Sequence, residues 1–309
     1  MSSWLLDPLS TAFVLRALTG GVLVALICGI VGTWVVIRGM AFLGEAIGHG
    51  MLPGVAIATV LGLPVLIGGA VSAVAMSAAI GALQRRGRLS YDTSIGLLFV
   101  GMLSLGVIIV SHSRTFATDA TAMLFGDILA VDLGDIALLA GALVVTVAVA
   151  ALFHRAFVAS AFDRRIAHTL GLRPRRAQLA LVGLVTLAVV SSYQAVGSLL
   201  VVGLLLAPAV AARPWTTRIP VTMALAGAIG ALSVLVGLLV SWNAGTAAGA
   251  SIAGSAILLA ALSGVVRSSI DRMRRRTAAH GPETADGPTH ASATARSREP
   301  HIARTAAIR

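Results

Sequence analysis

Residues 44–54 read Gly44-Glu45-Ala46-Ile47-Gly48-His49-Gly50-Met51-Leu52-Pro53-Gly54, which places a carboxylate and an imidazole four residues apart in an otherwise apolar stretch. Ionisable side chains inside a membrane span cost roughly 2.5–3.5 kcal/mol each on insertion scales, and they usually face a bundle interior or a transport pathway. At helical spacing, Glu45 and His49 share one face of the helix. The stretch therefore predicts a membrane-spanning helix that contains a polar site.

Composition extends this membrane character to the whole chain. Of its 309 residues, 57% are hydrophobic and 11% are charged, whereas soluble domains contain roughly 25% charged residues. Apolar runs long enough to cross a bilayer repeat along the sequence. We therefore expect an all-α, polytopic helical membrane protein with about nine transmembrane helices, although eight or ten also fit the pattern. The predicted spans are residues 17–37, 42–61, 64–84, 92–111, 133–153, 177–193, 196–212, 219–241 and 245–266.

The basic residues predict how these spans are oriented. Arginines lie in clusters between the apolar runs and in the C-terminal tail, and loops enriched in positive charge remain in the cytoplasm. The net charge of +11 therefore indicates topology rather than a nucleic-acid partner. Alternation of the spans puts the N-terminus outside and the C-terminus in the cytoplasm. We interpret residues 1–276 as the transmembrane domain and the polar residues 277–309, which are rich in helix breakers, as a disordered cytoplasmic tail.

Two residue types exclude particular chemistries. All 23 basic residues are Arg, so the chain lacks the Lys that a phosphate-binding P-loop requires, and any ATP hydrolysis must take place on another polypeptide. The single cysteine, Cys28, excludes an intrachain disulfide and a cysteine-rich metal site. No catalytic constellation accompanies Glu45 and His49, and we do not expect the chain to be an enzyme.

Two connecting segments carry candidate interaction residues. Segment 112–132 is the longest external connection, and its charged residues either attract cations as an access loop or are simply solvated. Segment 161–172 lies in the longest internal cytoplasmic loop and fits a short helix that is capped by Asp163 and ends at Gly171, which would allow it to dock to a cytosolic partner. The candidate access-loop residues are His112, Asp119 and Asp127.

A polar interruption divides the apolar run 179–212. It contains Ser191-Ser192-Tyr193-Gln194-Ala195-Val196-Gly197-Ser198, and glycine with small polar residues is typical of close helix contacts and of chain turns. The pattern predicts a tight helical hairpin around Gln194 and Gly197, and the alternative is that these residues line a pathway.

Four motifs, in order, resemble one known family. Residues 38–54 follow the pattern Arg-Gly-x-Ala-Phe-x-Gly-Asp-Ala-x-x-His-x-x-x-Pro-Gly, with Glu45 in place of the usual Asp. Further matches are Leu124-Phe125-Gly126-Asp127-Ile128-Leu129, the Phe162-Asp163-x-x-x-Ala167-x-x-x-Gly171 element, and Gln194 to Leu200 continuing through Leu205-Leu206-Ala207-Pro208-Ala209. Over about residues 15–266 the chain resembles the membrane permease subunit of zinc/manganese-type metal-ion ABC importers.

This resemblance implies a type II ABC importer-like permease in the cell membrane. It implies a homodimer that moves zinc, manganese or iron into the cytoplasm, with ATP bound and hydrolysed on a cytosolic ATPase dimer and the ion delivered outside by a solute-binding protein. Glu45 and His49 would be the metal ligands, and no covalently bound cofactor is expected. The implied coupling helix would present Phe162, Asp163, Ala167 and Gly171 to the ATPase, and the hairpin or pathway residues would be Gln194, Gly197 and Pro208.

Ligand chemistry agrees with this interpretation, but alternatives exist. A carboxylate with an imidazole suits zinc, iron(II) and manganese(II). The same pair fits a proton relay in a proton- or ion-coupled secondary transporter, and a permease for a metal chelate would share the architecture without needing the pair. A purely structural alternative is a hydrogen bond between Glu45 and His49 within the helix.

Overall fold

The computed structural model describes residues 11–85, 90–111, 126–162 and 173–279. Every regular element in these ranges is helical, which confirms the all-α expectation. Two short 3-10 turns, Ile128–Ala130 and Arg213–Trp215, accompany the longer helices. The α-helices are α1 Ala12–Ile37, α2 Phe42–Gly50, α3 Leu52–Leu61, α4 Val65–Arg85, α5 Tyr91–Ser111, α6 Leu133–Phe162, α7 Pro174–Ala212, α8 Ile219–Ala244 and α9 Ala248–Ala279.

The helices agree with the predicted spans. By length and composition, eight segments of the described chain can cross a membrane, and α2 with α3 forms one of them, Phe42–Leu61. The span predicted at residues 196–212 corresponds to a shorter apolar helix, Leu200–Trp215. Eight long spans plus this shorter one account for the predicted count of about nine, within the range of eight to ten.

Helix α7 contains a chain reversal at Gly197, where φ is 70° and ψ is 166°. The Nη1 group of Arg38 donates to Oε1 of Gln178 at 2.9 Å, and Gly32 packs directly on the Leu205 carbonyl. Gly32 and Arg38 are separated by about 9 Å along α1, whereas Gln178 and Leu205 would be about 40 Å apart along one continuous helix. The two halves of α7, residues 174–196 and 198–212, are therefore antiparallel.

Helix α1 lies at the centre of the bundle, because glycines allow neighbouring backbones to approach it closely. A Cβ atom on Gly29 would lie 2.6 Å from the Gly227 nitrogen, and one on Gly230 would lie 3.1 Å from the Ala25 Cβ. Small residues at such contacts are the usual basis of helix association in membranes. The pairing runs in opposite directions along α1 and α8, so these helices are antiparallel. Fully buried side chains around α1 include Ile27, Trp34, Leu43, Ile47, Leu181 and Leu200.

Four helix ends meet at one end of the bundle, which we call the basic end. Arg38 follows α1 and contacts Gln178 near the start of α7 and the Phe157 carbonyl near the end of α6. Gly81, near the end of α4, packs beside Leu179 of α7. Arginines cluster at these helix ends, namely Arg38, Arg85, Arg155, Arg173, Arg175 and Arg176.

The C-terminal part of the chain forms a second unit. The compact helical unit extends over Met1–Ser268, and Ser269–Arg309 cluster separately. Helix α9 is described as far as Ala279. The predicted tail, residues 277–309, therefore lies almost entirely outside the described residues, and its disorder remains a prediction.

Candidate functional site

Helix α2 presents Glu45 and His49 at the boundary between the core and an open surface. Both side chains are half-buried, whereas Leu43, Ile47 and Gly50 on the other sides of the helix are buried. Phe42, one turn before Glu45, is 59% exposed. The face that carries the carboxylate and the imidazole is therefore the face that this chain leaves partly uncovered.

The His49 ring packs against an aromatic ring from another helix. Its centroid lies 5.3 Å from that of Phe99 on α5, with an interplanar angle of 82°. This edge-to-face geometry is a preferred one for aromatic rings. The phenyl side chain of Phe99 has no hydrogen-bond acceptor. The contact therefore orients the imidazole of His49 without forming a hydrogen bond to its ring nitrogens.

Glu45 and His49 do not form a hydrogen bond with each other. Across the described ranges, neither side chain has a hydrogen bond or an ion pair. The purely structural alternative, a hydrogen bond within the helix, is therefore not present in this arrangement. The carboxylate oxygens and ring nitrogens remain available to a ligand, which is what a metal site requires of its donors.

Neighbouring helices hold the backbone around the pair in place. Gly44 packs on the Leu205 side chain, and Gly50 packs on the thioether of Met76. The hydroxyl of Ser72 donates a hydrogen bond to the Gly50 carbonyl at 2.7 Å. These contacts fix α2 against α4 and α7 on both sides of Glu45 and His49.

The junction between α2 and α3 is a second fixed point. Pro53 lies in the first turn of α3, and proline has no N–H group to continue the helical hydrogen-bond ladder. Gly54 and Gly68 lie back to back, so that a Cβ atom on either would overlap the carbonyl of the other. The backbone just after His49 therefore has little room to move.

A single chain supplies only part of a metal site. In the part of the chain that the structure describes, no group of three or more His, Cys, Asp or Glu side chains could hold a metal ion. Glu45 and His49 are two donors, and a transition metal in a protein normally has four or more. Further donors would have to come from undescribed residues of this chain, from water or from another molecule.

The other predicted site residues lie in several places. Gly197 is at the α7 reversal, and Gly126, with φ of 64°, packs on the Val196–Gly197 backbone. Asp127 is exposed and directly precedes the 3-10 turn Ile128–Ala130. Pro208 is buried in the second half of α7. Gly44 packs on Leu205, about 12 Å along the helix from Gly197, so Glu45 and the reversal lie at different levels.

Several predicted residues lie outside what the structure describes. Phe162 is the last residue of α6, and the rest of the predicted coupling helix falls in the undescribed segment 163–172. The side chain of Gln194 is likewise not described, although its backbone is helical. The remaining undescribed site residues are His112, Asp119, Asp163, Ala167 and Gly171.

Sequence reasoning missed a polar cluster at the basic end. Arg38 donates to Gln178 at 2.9 Å, and Nε2 of Gln178 donates to the Met40 sulfur at 3.6 Å. From the sequence, Arg38 was the first residue of the motif over residues 38–54 and had no predicted contact. No local pattern indicates the contact, because Arg38 and Gln178 are 140 residues apart.

The helices and the half-buried polar pair define a polytopic membrane protein with a polar site between its helices. The chain belongs to the ABC 3 transport family, whose sequence profile matches residues 10–267. This membership confirms the resemblance drawn from the motif around Glu45 and His49.

Relatives cover most of the chain. It is 35% identical over 244 residues to the manganese transport system membrane protein MntC of Halalkalibacterium halodurans, covering 79% of this chain and 84% of that protein. A probable iron transport system membrane protein of Haemophilus influenzae is 31% identical over 276 residues, covering 89% and 100%. The solved structure of PsaBC from Streptococcus pneumoniae in complex with Fab has a TM-score of 0.75 and 30% identity, covering 85% and 95%.

Proposed function

We propose that this chain is the membrane permease subunit of an ABC importer that moves a divalent transition metal ion into the cytoplasm. The observation that carries the proposal is the pair Glu45 and His49, half-buried on one helix face and without a hydrogen bond or ion pair in the described ranges. The names of relatives support the ion class, since one is a manganese and another an iron transport protein. Zinc, manganese and iron(II) all accept a carboxylate with an imidazole.

A second copy of the chain completes the site in this proposal. The face around Glu45 and His49 is partly open, and Phe42 beside it is 59% exposed. A two-fold axis along this face would bring together two carboxylates and two imidazoles, because an isologous interface presents the same patch twice. Water completes the coordination shell. A shell shared between two chains and water also binds the ion weakly enough to release it.

The basic end faces the cytoplasm in this proposal, since positively charged helix ends remain on that side. The segment 163–172 connects α6 to α7 at this end and carries the proposed contact with a separate ATPase dimer, which binds and hydrolyses ATP. The opposite end receives the ion from a solute-binding protein. Its proposed contact residues are His112, Asp119 and Asp127, and the proposed coupling residues are Phe162, Asp163, Ala167 and Gly171.

In this proposal the hairpin of α7 supports the helix that carries Glu45 and His49. Its second half packs on α2 through Leu205 and Gly44, and Gly197 begins that half. We assign Gln194, Gly197 and Pro208 to this supporting role rather than to metal ligation. Movement of α7, driven from the ATPase, would then reach the helix that carries Glu45.

Reconstituted, ATP-driven uptake tests the proposal. Proteoliposomes that contain the chain with its ATPase are assayed for manganese, iron(II) and zinc, comparing Glu45→Gln and His49→Ala with the native chain. Each substitution removes a ligand, and we expect uptake to fall at least tenfold, because even residues that only support metal ligands change affinity by about 10–100-fold. The exposed carboxylate Asp92 provides a matched control, and Asp92→Asn should leave uptake within about twofold.

Two further outcomes distinguish the alternatives. Uptake that needs a proton gradient but no ATPase would contradict the importer and favour a secondary transporter. Folded Glu45→Gln and His49→Ala variants with native uptake and native ion preference would contradict the assigned site.

A further inference from the structure

A cavity of about 540 Å³ lies at the basic end, between α1, α4, α6 and α7. Its lining combines polar side chains, two of them cationic, with apolar ones. Among the described residues, no carboxylate lines it. The polar lining residues are Arg38, Ser77, Gln84, Ser160, Arg175 and Gln178.

The guanidinium of Arg38 is held in a defined position. Its Nη1 donates to Gln178 Oε1 at 2.9 Å, its Nη2 donates to the Phe157 carbonyl at 3.4 Å, and its Cζ lies 5.8 Å from the Phe157 ring centroid. The planar guanidinium suits oxyanions such as phosphate, and a fixed orientation reduces the entropy lost on binding. Arg38 is therefore preorganised at the wall of the cavity.

One donor of the cavity lining and one donor beside it lack acceptors. The Nε2 group of Gln84 is buried without a hydrogen-bond partner among the described residues, and so is the hydroxyl of Tyr91. The Tyr91 hydroxyl faces Gln84 and Gln178 but forms no hydrogen bond of good geometry with them. A buried donor without an acceptor is unfavourable, because the hydrogen bonds it made to water are not replaced. A ligand rich in acceptor oxygens would remove that cost.

The charges around the cavity favour an anion over a metal ion. Arg38 and Arg175 line it, and the acid that acts on this cluster is Asp92, which is exposed and next to Tyr91. Among the described residues, two cationic groups against one solvated carboxylate make the cavity positive. A positively charged cavity does not favour binding of a divalent cation. The cavity is therefore a different site from that at Glu45 and His49.

The apolar part of the lining reaches the surface of the bundle at Leu179. Ile80 and Val182 form its buried wall, while Leu179 is 49% exposed. The cavity lies where the spanning helices end, which is the level of lipid headgroups. Basic pockets between helices at this level are typical sites for anionic headgroups.

We propose that this cavity binds an anionic phospholipid, with the phosphate between Arg38 and Arg175 and an acyl chain along Leu179. The Nε2 group of Gln84 donates to a phosphate oxygen. The lipid would join α1, α4 and α7 on the side where segment 163–172 connects α6 to α7. This inference does not depend on the proposed function, since it concerns a different cavity and a different ligand.

The neighbouring arginines Arg175 and Arg176 provide a matched test. Both are exposed on the first turn of α7, but only Arg175 lines the cavity. Binding of phosphatidylglycerol and of phosphatidylcholine to the full-length chain in nonionic detergent is measured by native mass spectrometry. We expect phosphatidylglycerol to bind selectively, Arg175→Gln to weaken it about fivefold or more, and Arg176→Gln to change it less than twofold.

Further arms make the result decisive. Gln84→Leu, which removes the donor but no charge, should also weaken phosphatidylglycerol binding. Inorganic phosphate should compete with the lipid only weakly, because it has no acyl chain. Equal binding of phosphatidylcholine, equal loss with Arg175→Gln and Arg176→Gln, or binding of phosphate without phosphatidylglycerol would each overturn the proposal.

Discussion

Replacing Gly197 with alanine tests the chain reversal that divides α7. Gly197 has φ of 70° and ψ of 166°, a combination that is open to glycine and strongly disfavoured for residues with a Cβ atom. The reversal brings the second half of α7 back beside α1 and α2. Alanine at this position must either strain the backbone or open the hairpin.

The expected magnitude follows from the backbone and from a control glycine. Strain of this kind costs about 1–3 kcal/mol, so Gly197→Ala should lower the free energy of unfolding by that amount. Gly183 lies in the same helix, and a Cβ atom there would meet nothing within 4 Å. Gly183→Ala should therefore raise the free energy of unfolding by about 0.5–1 kcal/mol, because alanine favours a helix interior over glycine.

The assay is the free energy of unfolding in bilayers, measured for both variants and the native chain by steric trapping. Gly197→Ala should be less stable than the native chain and Gly183→Ala more stable. The free energies of unfolding of the two variants should therefore differ by about 1.5–4 kcal/mol, which corresponds to roughly a 10- to 1000-fold difference in the unfolding equilibrium. Stabilisation of equal size by Gly197→Ala and Gly183→Ala would refute the reversal, since a continuous helix would accept alanine at either position.

Two further substitutions test contacts that position the helices. Gly32→Ala would push a Cβ atom into the Leu205 carbonyl, and we expect the free energy of unfolding to fall by about 1–3 kcal/mol. Gly141→Ala, at an open position, should not lower the free energy of unfolding. Equal effects of the two substitutions would contradict the close contact at Gly32. In a double-mutant cycle of Arg38→Gln and Gln178→Leu, the hydrogen bond at 2.9 Å should appear as a coupling energy of about 0.5–3 kcal/mol, and strictly additive effects would show that the two side chains act independently.

The bounds of the spans follow closely from hydropathy, because each span must satisfy its backbone internally and cover its surface with apolar side chains. The predicted span 42–61 coincides with Phe42–Leu61. The prediction for residues 133–153 is too short, since α6 continues to Phe162. Helices continue past the apolar stretch where polar residues still form helical hydrogen bonds, and hydropathy does not detect that continuation.

The candidate site was only partly predictable. Helical spacing placed Glu45 and His49 on one face, because this depends only on residues four apart. The contact between His49 and Phe99 joins α2 to α5, and its partner is fifty residues away in the sequence. The cavity at the basic end collects residues from α1, α4, α6 and α7, so no local pattern marks it.

The sequence by itself determined the helical class, the spans and the presence of a carboxylate and an imidazole in an apolar helix. These properties depend on local composition and period, which a bilayer makes strongly informative. Only the tertiary structure decided which side of α2 stays open, how α7 reverses at Gly197, and that Arg38 meets Gln178. Such contacts depend on how closely whole helices approach each other. At Gly32 the close approach is possible because glycine has no Cβ atom, and the group that it contacts is the Leu205 carbonyl from a distant part of the chain.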